Sequence, residues 1–215
     1  MILGIYGAGG MGRETLELAR QVNRKSRRWD EFVFIDDAPG PMLQGIERWF
    51  FSAALDRLGS MDIVISVGEP DARRMLFDKT VAAGFSPATL IHPDIFVPES
   101  TLVGVGSQIF PGVFVSCDVR IGDNVLLQAN CSLAHDSAVG AHSVLSSFAA
   151  LGGGSVVGSG VYVGLHCAVR EKARIGDDSI VGMGAAVVGD IPGDVVAYGN
   201  PARVVRRNDG RGVFK

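Results

Sequence analysis

An aliphatic residue recurs at every sixth position from Ile91 to Val187, through Val97, Val103, Ile109, Val115 and Ile121 and onward without interruption. Four places after these residues stand compact side chains, among them Thr101, Ser107, Val113, Cys131, Ala149, Ser155, Cys167 and Ala185. A period of six matches neither the 3.6 of a helix nor the 2 of a simple strand. It is the repeat of a parallel β-helix built from short strands and turns. Gly104, Gly122, Gly140, Gly158 and Gly176 recur at intervals of eighteen, so three hexapeptides make one triangular coil. Residues eighteen apart then stack about 4.8 Å from each other, as neighbouring strands do. A β-sandwich with accidental periodicity would not keep both tracks in step through every repeat.

The first third of the chain has a different rhythm. Residues 2–6 read as a buried strand that runs into Gly7-Ala8-Gly9-Gly10-Met11-Gly12, and Arg13 to Val22 has helical spacing through Leu16, Leu18 and Ala19. Strand, glycine turn and helix in that order match the dinucleotide fingerprint, in which the main chain approaches a diphosphate at a helix N-terminus. A second strand, Phe32–Ile35, ends in Asp36-Asp37, placed either to meet a ribose or base or to form a turn before Pro39. A third, Asp62–Val67, leads to Gly68, and Asp71 to Ala83 reads as a helix whose Arg73, Arg74 and Lys79 lie on a solvated polar side. No Gly/Ser linker precedes the hexad repeat, which predicts two domains packed together. About 85 residues supply one nucleotide half-site, too little for a conventional dehydrogenase.

Composition narrows the classes further. The 215 residues are 47% hydrophobic with a net charge of −3, which supports real cores and argues against general nucleic-acid binding. No stretch approaches the roughly 20 apolar residues of a membrane span, and the reading is a cytoplasmic protein. Cys117, Cys131 and Cys167 show no metal-ligand spacing, and no metal is expected. Cys131 and Cys167 fall two coils apart, about 9.6 Å by the strand spacing, too far for a disulfide.

The hexad repeat and the ending Gly199-Asn200-Pro201-Ala202-Arg203 resemble the left-handed β-helix of hexapeptide acyltransferases, which are trimers that use acetyl-CoA. With the N-terminal domain, nearly the whole chain resembles the sialic-acid O-acetyltransferases and nucleotide-aminosugar N-acetyltransferases of bacterial glycan and O-antigen biosynthesis. The resemblance implies an α/β Rossmann-like domain over residues 1–88, an all-β left-handed parallel β-helix over 89–195 and a tail over 196–215 that contacts coenzyme A. It assigns Gly7, Gly9, Gly10, Met11, Gly12, Asp36, Asp37, Gly68 and Gln128 to a nucleotide-linked amino sugar. Handedness comes from the resemblance alone, since parallel crossovers in general favour the right hand.

Acetyl transfer from a thioester needs a base for the acceptor's proton and donors for the tetrahedral oxyanion. His92, before Pro93 at the domain junction, has a structural role, and His142 and His166 fall at coil corners where exposed polar residues are expected. His135-Asp136 resembles the family's base and orienting carboxylate, and an acidic neighbour holds an imidazole in one tautomer and favours its protonated form. Eighteen places after Ala134, His135 and Asp136 come Gly152, Gly153 and Gly154, so the stacking rule leaves an open slot beside the imidazole, with the Gly153 N–H as a candidate oxyanion donor. By the resemblance, acetyl-CoA meets Val144, Gly153, Gly154, Pro201, Ala202 and Arg203. Val144 is a departure, because many relatives carry a second histidine there. Arg206 and Arg207 suit coenzyme phosphates or form a solvated basic tail. The expected activity is N-acetylation of a nucleotide-linked amino sugar by a homotrimer; O-acetylation of sialic acid or another sugar, and a non-catalytic nucleotide-binding module, are the alternatives.

Overall fold

The computed structural model describes residues 1–38, 40–210 and 212–213. The N-terminal sheet is parallel throughout, in the order β3-β2-β1-β4-β5, with β1 at Ile2–Tyr6, β2 at Glu31–Ile35, β3 at Arg48–Trp49, β4 at Met61–Ile65 and β5 at Ser86–Pro87. Helix α1 spans Gly10–Ser26, longer at both ends than its apolar spacing indicated. It begins inside the glycine turn and ends where Arg27 turns left-handed, with the Asn23 side chain accepting the N–H groups of Arg28 and Trp29. Helices α2, Phe51–Leu55, and α3, Pro70–Ala82, cover the other face of the sheet.

From Leu90 to Val187 the chain winds into a triangular coil whose three faces are parallel sheets of two-residue strands. Register follows the eighteen-residue rule: Leu126 pairs with Gln108 and Val144, Ser132 with Phe114 and Ala150, and Ala138 with Arg120 and Val156. The hexad aliphatics from Ile109 to Val187 point inward and are at most 4% exposed, as are the compact residues from Ser107 to Ala185. Most inward serines are satisfied within the coil, Ser155 being the exception: Ser143 Oγ donates to the Gly158 carbonyl at 2.7 Å and accepts the Val161 N–H at 3.0 Å. The corners need a left-handed residue in each turn, which is why Asn, Asp and Gly recur there. Asp118, Asn124, Asn130, Asp136 and Asp178 all have φ between 53° and 62°.

One face of the coil is covered. Its outward residues Leu90, Gln108, Leu126 and Val144 are at most 1% exposed and pack against Leu16, Leu18 and Ala19 of α1, which is thereby sandwiched between the two domains. Helix α3 lies along the adjoining corner column. Two expectations are corrected here. Arg73, read as solvated, is wholly buried, and Arg74 pairs with Asp178. His142, read as an exposed corner residue, is half-buried, with its ring 5.5 Å from that of Phe77 and Nδ1 3.0 Å from Asn124 Nδ2. The cause is the same in both cases: α3 docks on the corner that carries Asn124, His142 and Asp178. Cys131 and Cys167 are buried free thiols, each pushed up to about 12 by loss of solvent.

Two measurements check this packing. Leu145→Ala, at a position with no exposure, should cost about 2–5 kcal/mol of unfolding free energy in a denaturant titration. Burial, with Arg74 and Arg73 close by, lowers the His142 pKa below 6.5 against the opposing pull of Asp78 and Asp123. The unfolded chain therefore takes up this proton first as the pH falls. Its contribution is full above pH 6.5 and fades below it, so the melting temperature should decline less steeply on acidification in His142→Gln than in the wild type.

Candidate active site

Gly7 and Gly12 shape the turn between β1 and α1. Gly7 sits at φ 117°, and a Cβ there would lie 2.7 Å from the Ser66 carbonyl oxygen; a Cβ on Gly12 would collide with the Gly7 carbonyl. Gly9 has no atom within 4 Å of where its Cβ would be, and Gly10 meets only the Arg13 guanidinium at 3.9 Å. The close pair thus builds the turn while the middle pair leaves space above it. Helix α1 starts there with no side-chain cap and no acidic residue in its first turn, so its N-terminal N–H groups and dipole are available to an anion.

The neighbouring acidic pair is already engaged by the protein. Asp36 accepts the N–H groups of Ala8 at 3.0 Å and Ala38 at 2.9 Å and lies 3.4 Å from Arg48. Asp37 accepts the Tyr6 hydroxyl at 2.8 Å, and Lys79 reaches both. Burial and these carboxylates push the Tyr6 phenol above its ordinary range. Asp36 accepts the N–H two residues on, as a turn-former does, whereas Asp37 is tied to Tyr6 and Lys79. Gly68 follows β4 and leads into α3, and the Glu69 carboxylate at the start of α3 accepts the Val213 N–H at 2.8 Å.

Beside the glycine turn a cleft of about 480 Å³ runs between α1 and a β-helix corner, lined by Arg13, Glu14, Phe110, Gln128 and Ser147 among others. Gln128 is held at both ends of its amide, by the Ser147 N–H at 3.2 Å and by Met11 Sδ at 3.6 Å. It therefore joins the glycine turn to the coil.

His135 lies at the vertex opposite the covered face. Nδ1 is 2.8 Å from Asp136 Oδ2, and both side chains are about two-thirds exposed, at 64% and 65%. Asp136 occupies the left-handed corner position, and its N–H donates to the Cys117 carbonyl in the coil below. In the coil above, the Gly154 N–H donates to the His135 carbonyl at 2.9 Å, and Gly154 takes the left-handed turn at φ 66°. Gly153 is a glycine for another reason. A Cβ there would lie 2.7 Å from both Cε1 and Nε2 of His135, so the imidazole rests on bare main chain. Among the described residues no hydrogen bond takes up the Gly153 N–H.

Comparison with known proteins places this geometry. Residues 3–80 match the PglD N-terminal domain family. GDP-perosamine N-acetyltransferase of Escherichia coli O157:H7 is 27% identical over 96% of this chain and 97% of its own length. A histidine-to-alanine variant of the GDP-perosamine N-acetyltransferase of Caulobacter crescentus, solved with CoA and GDP-perosamine, is 29% identical with a TM-score of 0.87, over 95% of this chain and 97% of that one. The acetyltransferase domain of PglB from Neisseria gonorrhoeae FA1090, in complex with acetyl coenzyme A, is 30% identical with a TM-score of 0.88, over 95% of this chain and 98% of that one. The chain belongs to the nucleotide-aminosugar N-acetyltransferase family. Its β-helix is the left-handed coil of that family, against the general preference for right-handed crossovers.

Within this family member the expected residues do not form one cluster. On the covered side Gln128 lines the cleft and touches Met11 of the glycine turn, whereas His135, Asp136, Gly153 and Gly154 share the far vertex. Val144, expected beside the acyl donor, is 1% exposed in the apolar cluster with Phe110 and Leu126. It faces outward on the covered side, so the structure does not bring it to His135. Ala202 donates its N–H to the Ala186 carbonyl and is 6% exposed, with Pro201 and Arg203 exposed beside it. Arg206 and Arg207 are exposed on the strand Arg203–Arg207, antiparallel to Val195–Tyr198. Arg13, at the mouth of the cleft, and Lys172, stacked on Gly154 one coil further on, were not singled out from the sequence. The eighteen-residue step from Asp136 through Gly154 would have found Lys172. Among the described residues no group of histidines, cysteines and carboxylates could hold a metal, and no helix is long and apolar enough to cross a membrane.

Gly153→Ala should displace the imidazole while leaving the coil intact. A crystal structure of the variant would show the His135 ring moved off its present place, with a melting temperature close to that of the wild type; a ring in its original position would mean the slot is roomier than these contacts.

Proposed function

We propose that the protein is an acetyl-CoA-dependent N-acetyltransferase that modifies the amino group of a nucleotide-linked amino sugar. The observation that carries this reading is the His135–Asp136 pair resting against the unfilled main chain of Gly153. Relatives named as GDP-perosamine N-acetyltransferases, one of them solved with CoA and GDP-perosamine, support the substrate class and the donor. The nucleoside diphosphate sits at the glycine turn of α1, and the amino sugar extends along the cleft past Gln128. His135 takes a proton from the attacking amine, Asp136 orients the ring and stabilises its protonated form, and the Gly153 N–H donates to the oxyanion formed at the thioester carbonyl. Collapse of that intermediate expels the coenzyme thiolate and leaves the amide. Coenzyme A runs along the same vertex from Gly154 towards Pro201, Ala202 and Arg203.

The working unit is a homotrimer. In a single chain the N-terminal domain backs the face opposite His135, so the cleft and the imidazole look away from each other, and a neighbouring copy is what brings one chain's acceptor to another chain's base. The setting is bacterial glycan biosynthesis in the cytoplasm, where nucleotide sugars and acetyl-CoA occur together.

Acetyl-CoA consumption measured against UDP-, GDP- and dTDP-linked amino sugars, with sialic acid alongside, tests the reading. Turnover on a nucleotide amino sugar is expected, and acetylation of sialic acid alone would overturn it. With the acceptor so found, His135→Ala should lower kcat by about 10²–10⁴-fold; near-normal turnover would remove His135 from the mechanism.

A further inference from the structure

Helix α3 brings a positive charge into the seam between the domains, and among the described residues no carboxylate pairs with it. Arg73 is fully buried and is bonded almost entirely to main-chain carbonyls. Its Nη1 donates to the carbonyls of Ile65 at 2.8 Å and Val67 at 3.0 Å. Its Nε and Nη2 donate to the Asn124 carbonyl at 3.2 and 2.9 Å, and Nη2 also reaches Asn124 Oδ1 at 2.8 Å. Asn124 Nδ2 returns a bond to the Arg73 carbonyl at 3.1 Å. The Ile65 carbonyl takes a further bond from Gln108 Nε2 at 2.7 Å, and Gln108 Oε1 accepts the Thr15 hydroxyl at 2.9 Å. Ser66 closes the network, donating to Thr15 Oγ1 and to the Met11 carbonyl. Thr15, Ser66, Gln108 and Asn124 are each at most 2% exposed.

Holding two domains together does not require an ion. Well-packed apolar residues in place of a buried charged group are often as stable or more so, and this guanidinium carries a desolvation penalty that pulls its pKa down to about 9. It is still charged at neutral pH. What a planar, charged fork supplies and apolar packing does not is fixed direction. The two carbonyls it holds bracket Ser66 at the end of β4, the strand that leads to Gly68. Ser66 in turn holds the first turn of α1 through Met11. The network therefore grips the main chain of the loop after β4 and, through Ser66, that of the glycine turn at the start of α1. It ties them to Asn124, a left-handed corner residue on the same coil as His135.

We propose that Arg73 and Asn124 are positioning residues for the acceptor: they lock the nucleotide-binding loops to the β-helix coil that carries His135, and so set the reach of the amino sugar from its nucleotide anchor to the imidazole of an adjoining chain. The inference rests on the acetyl-transfer reading above and adds to it a cause for the spacing between anchor and base. Neither residue touches the reacting atoms. Their effect is on where the acceptor amine is held, and a misplacement of about 1 Å can cost on the order of 10²-fold in rate.

The test compares Arg73→Met, Asn124→Leu, the double variant and Arg73→Lys in the full chain. The acceptor is GDP-perosamine, or whichever nucleotide amino sugar of the panel above the wild type acetylates. Each apolar change leaves buried polar groups unpaired and lowers the melting temperature, and the double variant removes the Asn124 side-chain acceptor but not the carbonyls of Ile65, Val67 and Asn124, so it recovers only a small part of the loss. Assayed below its melting transition and with native circular dichroism, each folded apolar variant should show kcat/KM for the acceptor reduced roughly 10- to 100-fold, with acetyl-CoA affinity by calorimetry unchanged. If a folded apolar variant keeps the wild-type kcat/KM, the pair is only structural and the proposal fails. Should none of the apolar variants fold, Arg73→Lys decides the matter below its melting transition. A fall in kcat/KM with native circular dichroism and normal acetyl-CoA binding supports positioning, and wild-type constants overturn it. Lack of turnover by the wild type on every nucleotide amino sugar is a different failure, since it removes the acetyl-transfer reading and this inference with it.

Discussion

Main-chain hydrogen bonds between successive coils govern this molecule. Leu126 donates to the Ser143 carbonyl and Gln128 to that of Leu145, and bonds of this kind recur on all three faces with a step set by the eighteen-residue coil. Because each coil lies directly on the last, every inward side chain meets a counterpart eighteen places away, and the apolar core is one continuous column. The same rule dictates what stands at a corner. His135 has Gly153 above it because of where coils fall, and Gly153 has no side chain because an added Cβ would occupy the ring's place.

A triangular coil has three faces, and here they have different neighbours. One is buried beneath α1 and carries Leu90, Leu126 and Val144 outward. The other two end in exposed residues such as Leu102, Phe114 and Arg174, and the vertex between them holds the His135–Asp136 pair. The α/β domain and the imidazole are therefore on opposite sides of a single chain. That separation is why an interface between copies is part of the proposed mechanism rather than an addition to it.

The electrostatics divide along the same line. The His135–Asp136 pair is exposed, where it can exchange protons with a substrate and with solvent. Arg73 is sealed inside, and its five donors are met chiefly by carbonyl oxygens that hold loops in place. The glycine turn has neither an acidic residue nor a side-chain cap at the helix start, so its partial positive charge is left for an anion.

Much of this was legible along the chain, because a six-residue period marks a parallel β-helix, though not its hand, and stacking by eighteen converts sequence distance into contact. The coil, its inward residues, the glycine turn and the nearness of Gly153 to His135 all follow from local pattern. Short elements were not legible: β3, β5 and the two C-terminal strands are pieces of two to five residues at the margins of their sheets, too brief to show a period of their own. Arg73, His142 and Val144 were misjudged for one shared reason. Their surroundings depend on which face and which corner the N-terminal domain covers, a choice made by packing between segments far apart in sequence. Apolar outward residues at Leu126, Val144 and Ile180 hint at that face once the coil is known, but no pattern in α3 marks Arg73 as buried rather than solvated. Repetition encoded the coil; the docking of one domain on another decided which of its charges are sealed and which are free to act.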